Sequence, residues 1–268
     1  MEGSPAAQRF TKQRRGAPRG FFGVEAAGLR WLSVPGGADV AEVLEVGNTH
    51  LTITAVATAR PSPSAARDFG RRLARTHAAS AAAFGIGPDG WDGDGFIGEA
   101  RLSLRTHHTW GAFYAAERLL PYVEQARRRG ALDTAGAHLI EAVAGRLCDG
   151  DFDDAAPPAR IHGDLWAGNV LFTETSATLI DPAAHGGHRL SDLAMLSLFG
   201  LPYLDEVIQA YTGECAQLPS GWRQLIGLHQ LHPLLVHAAL FGGGYGERAA
   251  QIATRYVGGH TTTTTVRP

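Results

Sequence analysis

Residues 161–182 read IHGDLWAGNVLFTETSATLIDP. Asp164 follows His-Gly, Asn169 stands five residues on, and Asp181 twelve beyond that. Two apolar runs, Val170-Leu171-Phe172 and Leu179-Ile180, flank Thr173–Ser176 and predict a β-hairpin. A hairpin returns the chain on itself, so Asp181 is expected to emerge beside Asn169. Phosphoryl transfer needs such a set of oxygens: carboxylate and amide groups to hold Mg²⁺, and a carboxylate to orient the attacking hydroxyl. The spacing therefore assigns Asp164 to the acceptor hydroxyl, and Asn169 and Asp181 to Mg²⁺ on the phosphates of ATP. Singly, each residue is also ordinary loop chemistry: a turn cap, an Asx-turn, an Asp-Pro loop start. The combination carries the reading. A zinc site built from His162, Asp164, His185 and His188 competes with it, but His185-Gly-Gly-His188 is a glycine-rich loop and a poor scaffold for zinc.

The remaining composition narrows the class. A chain of 268 residues suffices for one large domain or two lobes. Its formal net charge of −2 gives no reason to expect nucleic acid or an acidic membrane surface as partner. No apolar run reaches the length of a membrane-spanning helix. The start, MEGSPAAQRFTKQRRG, is basic without an apolar stretch behind it, unlike a secretory signal. Cys148 and Cys215 lack metal-ligand spacing and are expected to be reduced thiols in a cytoplasmic protein. Of 24 Lys and Arg residues a single one, Lys12, is lysine. It marks a place for a compact ammonium where a planar guanidinium would not fit, or else chance on an N-terminal arm.

Short β-like runs at 43–46 and 51–54, preceded by a helix over about 24–32, predict a small, partly β lobe spanning 1–60. ARPSPSAA at 59–66 reads as the connection to a larger helical lobe over 61–258. Within that lobe the periodicity predicts helices around 69–84, 109–129 (with Pro121 as a kink or boundary), 139–147, from 191, and on to about 256. Ser191 is the expected N-cap of SDLAMLSLFG. The tail at 259–268 is low in complexity and expected to be disordered.

HGDLWAGNVLF, LIDPAAHGGHRLSDLAM and LHPLLVHAALFGGGY resemble the fructosamine kinase (ketosamine 3-kinase) family, as do FFGVEAAGL at 21–29, GFIGEA at 95–100 and WGAFYAAERLLP at 110–121. The likeness runs from about residue 10 to 256. It implies an α+β, protein-kinase-like bilobal fold related to the aminoglycoside phosphotransferases, with a small antiparallel-sheet N-lobe and a larger, mainly helical C-lobe. It also implies ATP- and Mg²⁺-dependent phosphorylation of a sugar hydroxyl on a free or protein-bound ketoamine, a repair step against glycation. Carried onto this chain, Asp164 is the catalytic base and Asn169 and Asp181 hold the metal. Lys12 contacts the ATP phosphates and Glu25 pairs with it. His162 braces the catalytic loop and Asp192 bonds its backbone, while Trp166 and His237 border the substrate.

The chain departs from the family pattern in places. MEGSPAAQRFT has no glycine-rich hairpin ahead of the lysine, so a shortened N-lobe without a lid over the phosphates is expected. Leu190 stands where Glu is usual after Gly-His-Arg, and THHTW at 106–110 lacks a common Asp. The region 53–57 lacks an acidic residue. Two rivals therefore stay open: a pseudokinase or ketoamine-binding module without turnover, and an aminoglycoside- or choline-type kinase. The acceptor and the oligomeric state are not legible.

Overall fold

Residues 8–215 and 218–258 are described in a computed structural model of the chain; the tail at 259–268, expected to be disordered, lies outside them. Strand β1 (Arg9–Gln13) and helix α1 (Phe21–Leu32) come first, followed by β2 (Asp39–Val40), β3 (Val43–Val46) and β4 (His50–Thr54). Alternation drives the small sheet: Leu51 and Ile53 of β4 turn inward onto Phe22, Ala26 and Leu29 of α1. β4 lies between β1 and β3 and is antiparallel to both, with Lys12 opposite Leu51. Among the described residues β1 is an edge strand.

The connection between lobes is shorter than its composition suggests. Ser62 caps α2 (Pro63–Ala78) by accepting from the Ala65 N–H, and Pro63 occupies the first turn, where its missing N–H is harmless. A hairpin, β5 (Gly95–Ile97) with β6 (Ala100–Leu102), precedes a continuous helical stretch. That stretch runs through α3 (Trp110–Phe113), a π-helical turn (Tyr114–Leu119) and α4 (Leu120–Arg128). Pro121 does not end the stretch but stands at a boundary within it: the π-turn comes first and leaves Pro121 in the opening turn of α4.

The large lobe continues with α5 (Thr134–Cys148), β7 (Ala159–Ile161), β8 (Val170–Phe172), β9 (Ala177–Leu179) and β10 (His185–Gly187). It closes with α6 (Leu190–Phe199), α7 (Leu204–Glu214), α8 (Trp222–Phe241) and α9 (Tyr245–Val257). Ser191 is not the cap of α6. The helix begins at Leu190 with Arg189 in the cap position, and the Ser191 hydroxyl bonds His229 Nδ1 at 3.0 Å. Pro233 lies inside α8 and has no N–H for the His229 carbonyl four residues back. The Tyr114 hydroxyl, from the π-turn, reaches that carbonyl and that of Leu228 at 3.0 Å each, and accepts from the His232 N–H at 3.1 Å.

Two cores result. One gathers α3 to α5, α8 and α9 around Phe113, Ile140 and Leu231. The other packs α2, α6 and α7 against the β8–β9 hairpin. β2 runs parallel to β9, so the small lobe is stitched directly to that hairpin. No helix among the described residues is long and apolar enough to cross a membrane.

Candidate active site

Antiparallel pairing of β7 with β10 places Ile161 opposite His185. The chain therefore leaves one small ladder at His162 and returns to it after Ala184, while β8 and β9 close the far end. Asp164, Asn169 and Asp181 sit on the two segments held between these ladders. Gly163, at φ +80°, allows the close passage, because a Cβ there would overlap the Ala183 carbonyl oxygen.

Hydrogen bonds fix the loop from behind. Asp192 accepts from the His162 N–H at 2.8 Å, the Gly163 N–H at 3.0 Å and His77 Nε2 at 3.0 Å. With that ring nitrogen donating, His77 Nδ1 accepts from the Tyr211 hydroxyl at 2.7 Å. Burial alone would raise the Asp192 carboxyl, yet the His77 hydrogen bond and the neighbouring imidazoles hold it below its ordinary value. His162 uses both nitrogens. Nε2 donates to the Ile180 carbonyl at 2.8 Å, and Nδ1 accepts from the Asp164 N–H at 3.2 Å. Desolvation lowers its pKa, which suits this neutral tautomer. One imidazole thus spaces the Asp164 loop from the residue before Asp181.

Asn169 Nδ2 donates to the Asp164 carbonyl at 2.8 Å and to Asp164 Oδ2 at 3.3 Å, leaving its own Oδ1 as an acceptor. Burial pushes the Asp164 carboxyl up to about 6, opposed by the Asn169 bond and reinforced by the charges of Asp181 and Asp192. Asp181 holds φ +56°, a left-handed conformation that Asp tolerates better than most side chains. Lys12 Nζ lies between Glu25 Oε1, at 2.6 Å, and Asp181 Oδ1. Burial raises the Glu25 carboxyl, and the ammonium opposes this.

These groups line one cleft of about 420 Å³, which also takes in Trp166. His237 is not in it. It lines a smaller neighbouring pocket that shares Asp164 and Trp166. His162 and Asp192 stand behind the loop. Sequence reasoning missed Arg14, Phe96 and Gly98, which line the cleft. Arg14 pairs with Glu99 at 3.0 Å, and the Phe21 and Phe96 rings lie 5.2 Å apart, drawing the β5–β6 turn toward the small lobe. The GFIGEA motif was the available signal, but nothing in it says which residues it meets.

Asn169 and Asp181 form a donor set that fits Mg²⁺: two oxygen-bearing side chains at an open cleft, with room for phosphate oxygens and water to complete the shell. The zinc arrangement does not form. His162, His185 and His188 bond three separate partners, the Ile180 carbonyl, the Ala183 carbonyl and Asp154 Oδ2. Among the described residues no three His, Cys, Asp or Glu side chains converge on a metal position.

A two-lobed fold with this loop between its lobes defines a protein-kinase-like phosphotransferase. An ADP-bound aminoglycoside phosphotransferase has the same fold, with a TM-score of 0.60 over 93% of this chain and 88% of its own, at 14% identity. The fructosamine kinase family model matches residues 4–258, and the chain belongs to that family. It is 32% identical over 234 residues to a "Probable ketoamine kinase" of Thermus thermophilus, covering 87% of this chain and 82% of the relative. Its counterpart in Vibrio parahaemolyticus is 30% identical, with 85% and 77% covered. A solved structure described as a "putative fructosamine-3-kinase" from Thermobifida fusca superposes with a TM-score of 0.85 at 47% identity, over 93% of this chain and 86% of that one.

Proposed function

We propose that the chain transfers the γ-phosphoryl group of ATP to a sugar hydroxyl of a ketosamine, a fructosamine or ribulosamine, in the removal of glycation adducts. One observation supports this above the others: Asp164, Asn169 and Asp181, from the single stretch 161–182, and Lys12, from far away in the sequence, line one cleft. Asp164 orients the acceptor hydroxyl and takes its proton as the oxygen–phosphorus bond forms and the bond to the leaving ADP breaks. A carboxyl raised toward neutrality by burial is a competent base for that step. Lys12, steadied by Glu25, places a positive charge against the phosphates. Asn169 and Asp181 would hold Mg²⁺, which when bound neutralises charge on the phosphate oxygens.

The test is ADP release from Mg²⁺-ATP against fructosamines, ribulosamines and aminoglycosides, with Asp164→Asn in parallel. Turnover of a ketosamine is expected, with kcat lowered on the order of 10²-fold or more in the variant while nucleotide binding persists. Near-native turnover by the variant would remove Asp164 from its role. Failure of every acceptor would favour the binding-module alternative.

A further inference from the structure

Beside the nucleotide cleft lies a pocket of about 170 Å³. Asp164 and Trp166 belong to both, so whatever fills the pocket touches the same carboxylate as the acceptor hydroxyl. Its walls are apolar: Ile97 from β5, Met195 from α6, and Pro233, Val236, Leu240 and Phe241 from α8. Asp164 is the one carboxylate among the described residues that line it, and no Lys or Arg joins it. The remaining polar group is His237. Its Nδ1 donates to the Pro233 carbonyl at 2.7 Å, and burial lowers its pKa, so the ring is neutral at pH 7 and Nε2 presents a lone pair.

Two large apolar side chains are left in water at the mouth, Trp166 at 43% exposure and Phe241 at 66%. Neither is loose. The Trp166 indole lies so close over Gly168 that any Cβ there would overlap it, and the Phe241 ring sits 5.5 Å from His237. Exposed aromatic surface beside an apolar hole is suited to cover an apolar ligand group.

We propose that this pocket receives the amine substituent of the ketosamine and selects uncharged aromatic or branched substituents over cationic ones. This rests on the ketosamine kinase function proposed above. The volume suits one ring, since an apolar cavity of about 150 Å³ takes up benzene. The pocket offers no carboxylate to neutralise a terminal ammonium except Asp164, which the reaction itself needs, so a basic tail would lose its hydration with only the uncharged His237 Nε2 to accept from it.

The experiment compares kcat/KM for 1-amino-1-deoxyfructose and 1-amino-1-deoxyribulose carrying N-methyl, N-benzyl or N-(5-aminopentyl) groups. N-benzyl should exceed both others by about 10-fold or more, the discrimination an apolar pocket ordinarily supplies. Leu240→Asp should bring the benzyl-to-aminopentyl ratio down toward one or reverse it. Phe241→Asp, at an exposed position that leaves the core intact, should move the ratio the same way. Equal kcat/KM across the series would overturn the pocket assignment while leaving the ketosamine reaction standing. So would a ratio unmoved in both variants. No turnover of any member would overturn the reaction and the assignment together.

Discussion

At the scale of single residues, Asp181 carries two separate constraints. Its carboxylate faces the Lys12 ammonium, and its backbone is left-handed at φ +56°. Alanine there would remove the charge and strain the backbone at once, whereas asparagine keeps a side chain that tolerates the conformation. Asp181→Asn should therefore weaken Mg²⁺-nucleotide binding by about 10-fold or more, the scale of one lost charge-assisted contact of roughly 1.5–3 kcal/mol. Titrations with and without Mg²⁺ separate the causes: equal loss in both would mean a folding defect and no metal role. Asp164, Asn169 and Asp181 could be picked from the sequence because a hairpin between them leaves little freedom in where they meet. Lys12 and Glu25 were legible through a lone lysine and a family likeness. The family likeness implies a place beside the substrate for His237, but the apolar walls around it come from three elements, and no local pattern announces them.

Among the elements, α8 shows how a broken ladder is repaired from elsewhere. The Tyr114 hydroxyl serves the carbonyl that Pro233 leaves without a helical partner. Tyr114→Phe keeps the ring and removes the donor, so a buried carbonyl loses its bond, at a cost of about 1–3 kcal/mol. Urea denaturation should show the midpoint fall with the slope unchanged. A shift within error would mean that α8 closes on itself without the tyrosine. Pro233 and Pro121 are visible as punctuation, yet the hydroxyl that serves the break at Pro233 comes from more than a hundred residues away. β10 escaped notice for a related reason. His-Gly-Gly has no strand propensity, and only its pairing with β7 makes it one.

For the molecule as a whole, three histidines buried in the large lobe set an acid limit. Desolvation lowers His229 and His232 well below their ordinary value, and takes His185 to about 3. The unfolded chain protonates each near pH 6.5, while the folded chain keeps them neutral. Below that pH the unfolded state binds more protons, so stability falls as pH falls. Each histidine contributes a slope approaching about 1.4 kcal/mol per pH unit until its folded-state pKa is reached. Denaturant midpoints taken from pH 7.5 to 5 should decline with that sense, and His232→Gln should flatten the decline. A flat profile would mean that these rings are protonated in the fold. The two-lobed plan itself was readable from a β-rich start and periodic helices. The stitching of β2 to β9 was not, because a two-residue strand has no signature of its own.

The seat of Lys12 has a chemical consequence for the protein as a target of sugars. Unprotonated amines attack the aldehyde of a reducing sugar, and this sequence offers one lysyl side chain, held between two carboxylates in the cleft. The other 23 basic positions are guanidinium groups, whose delocalised charge makes them poor nucleophiles toward an aldehyde. A chain proposed to reverse glycation thus presents almost no lysine to the same damage. Intact-mass spectra after prolonged exposure to ribose should show adducts at the α-amino terminus and little at Lys12 until either Glu25 or Asp181 is replaced.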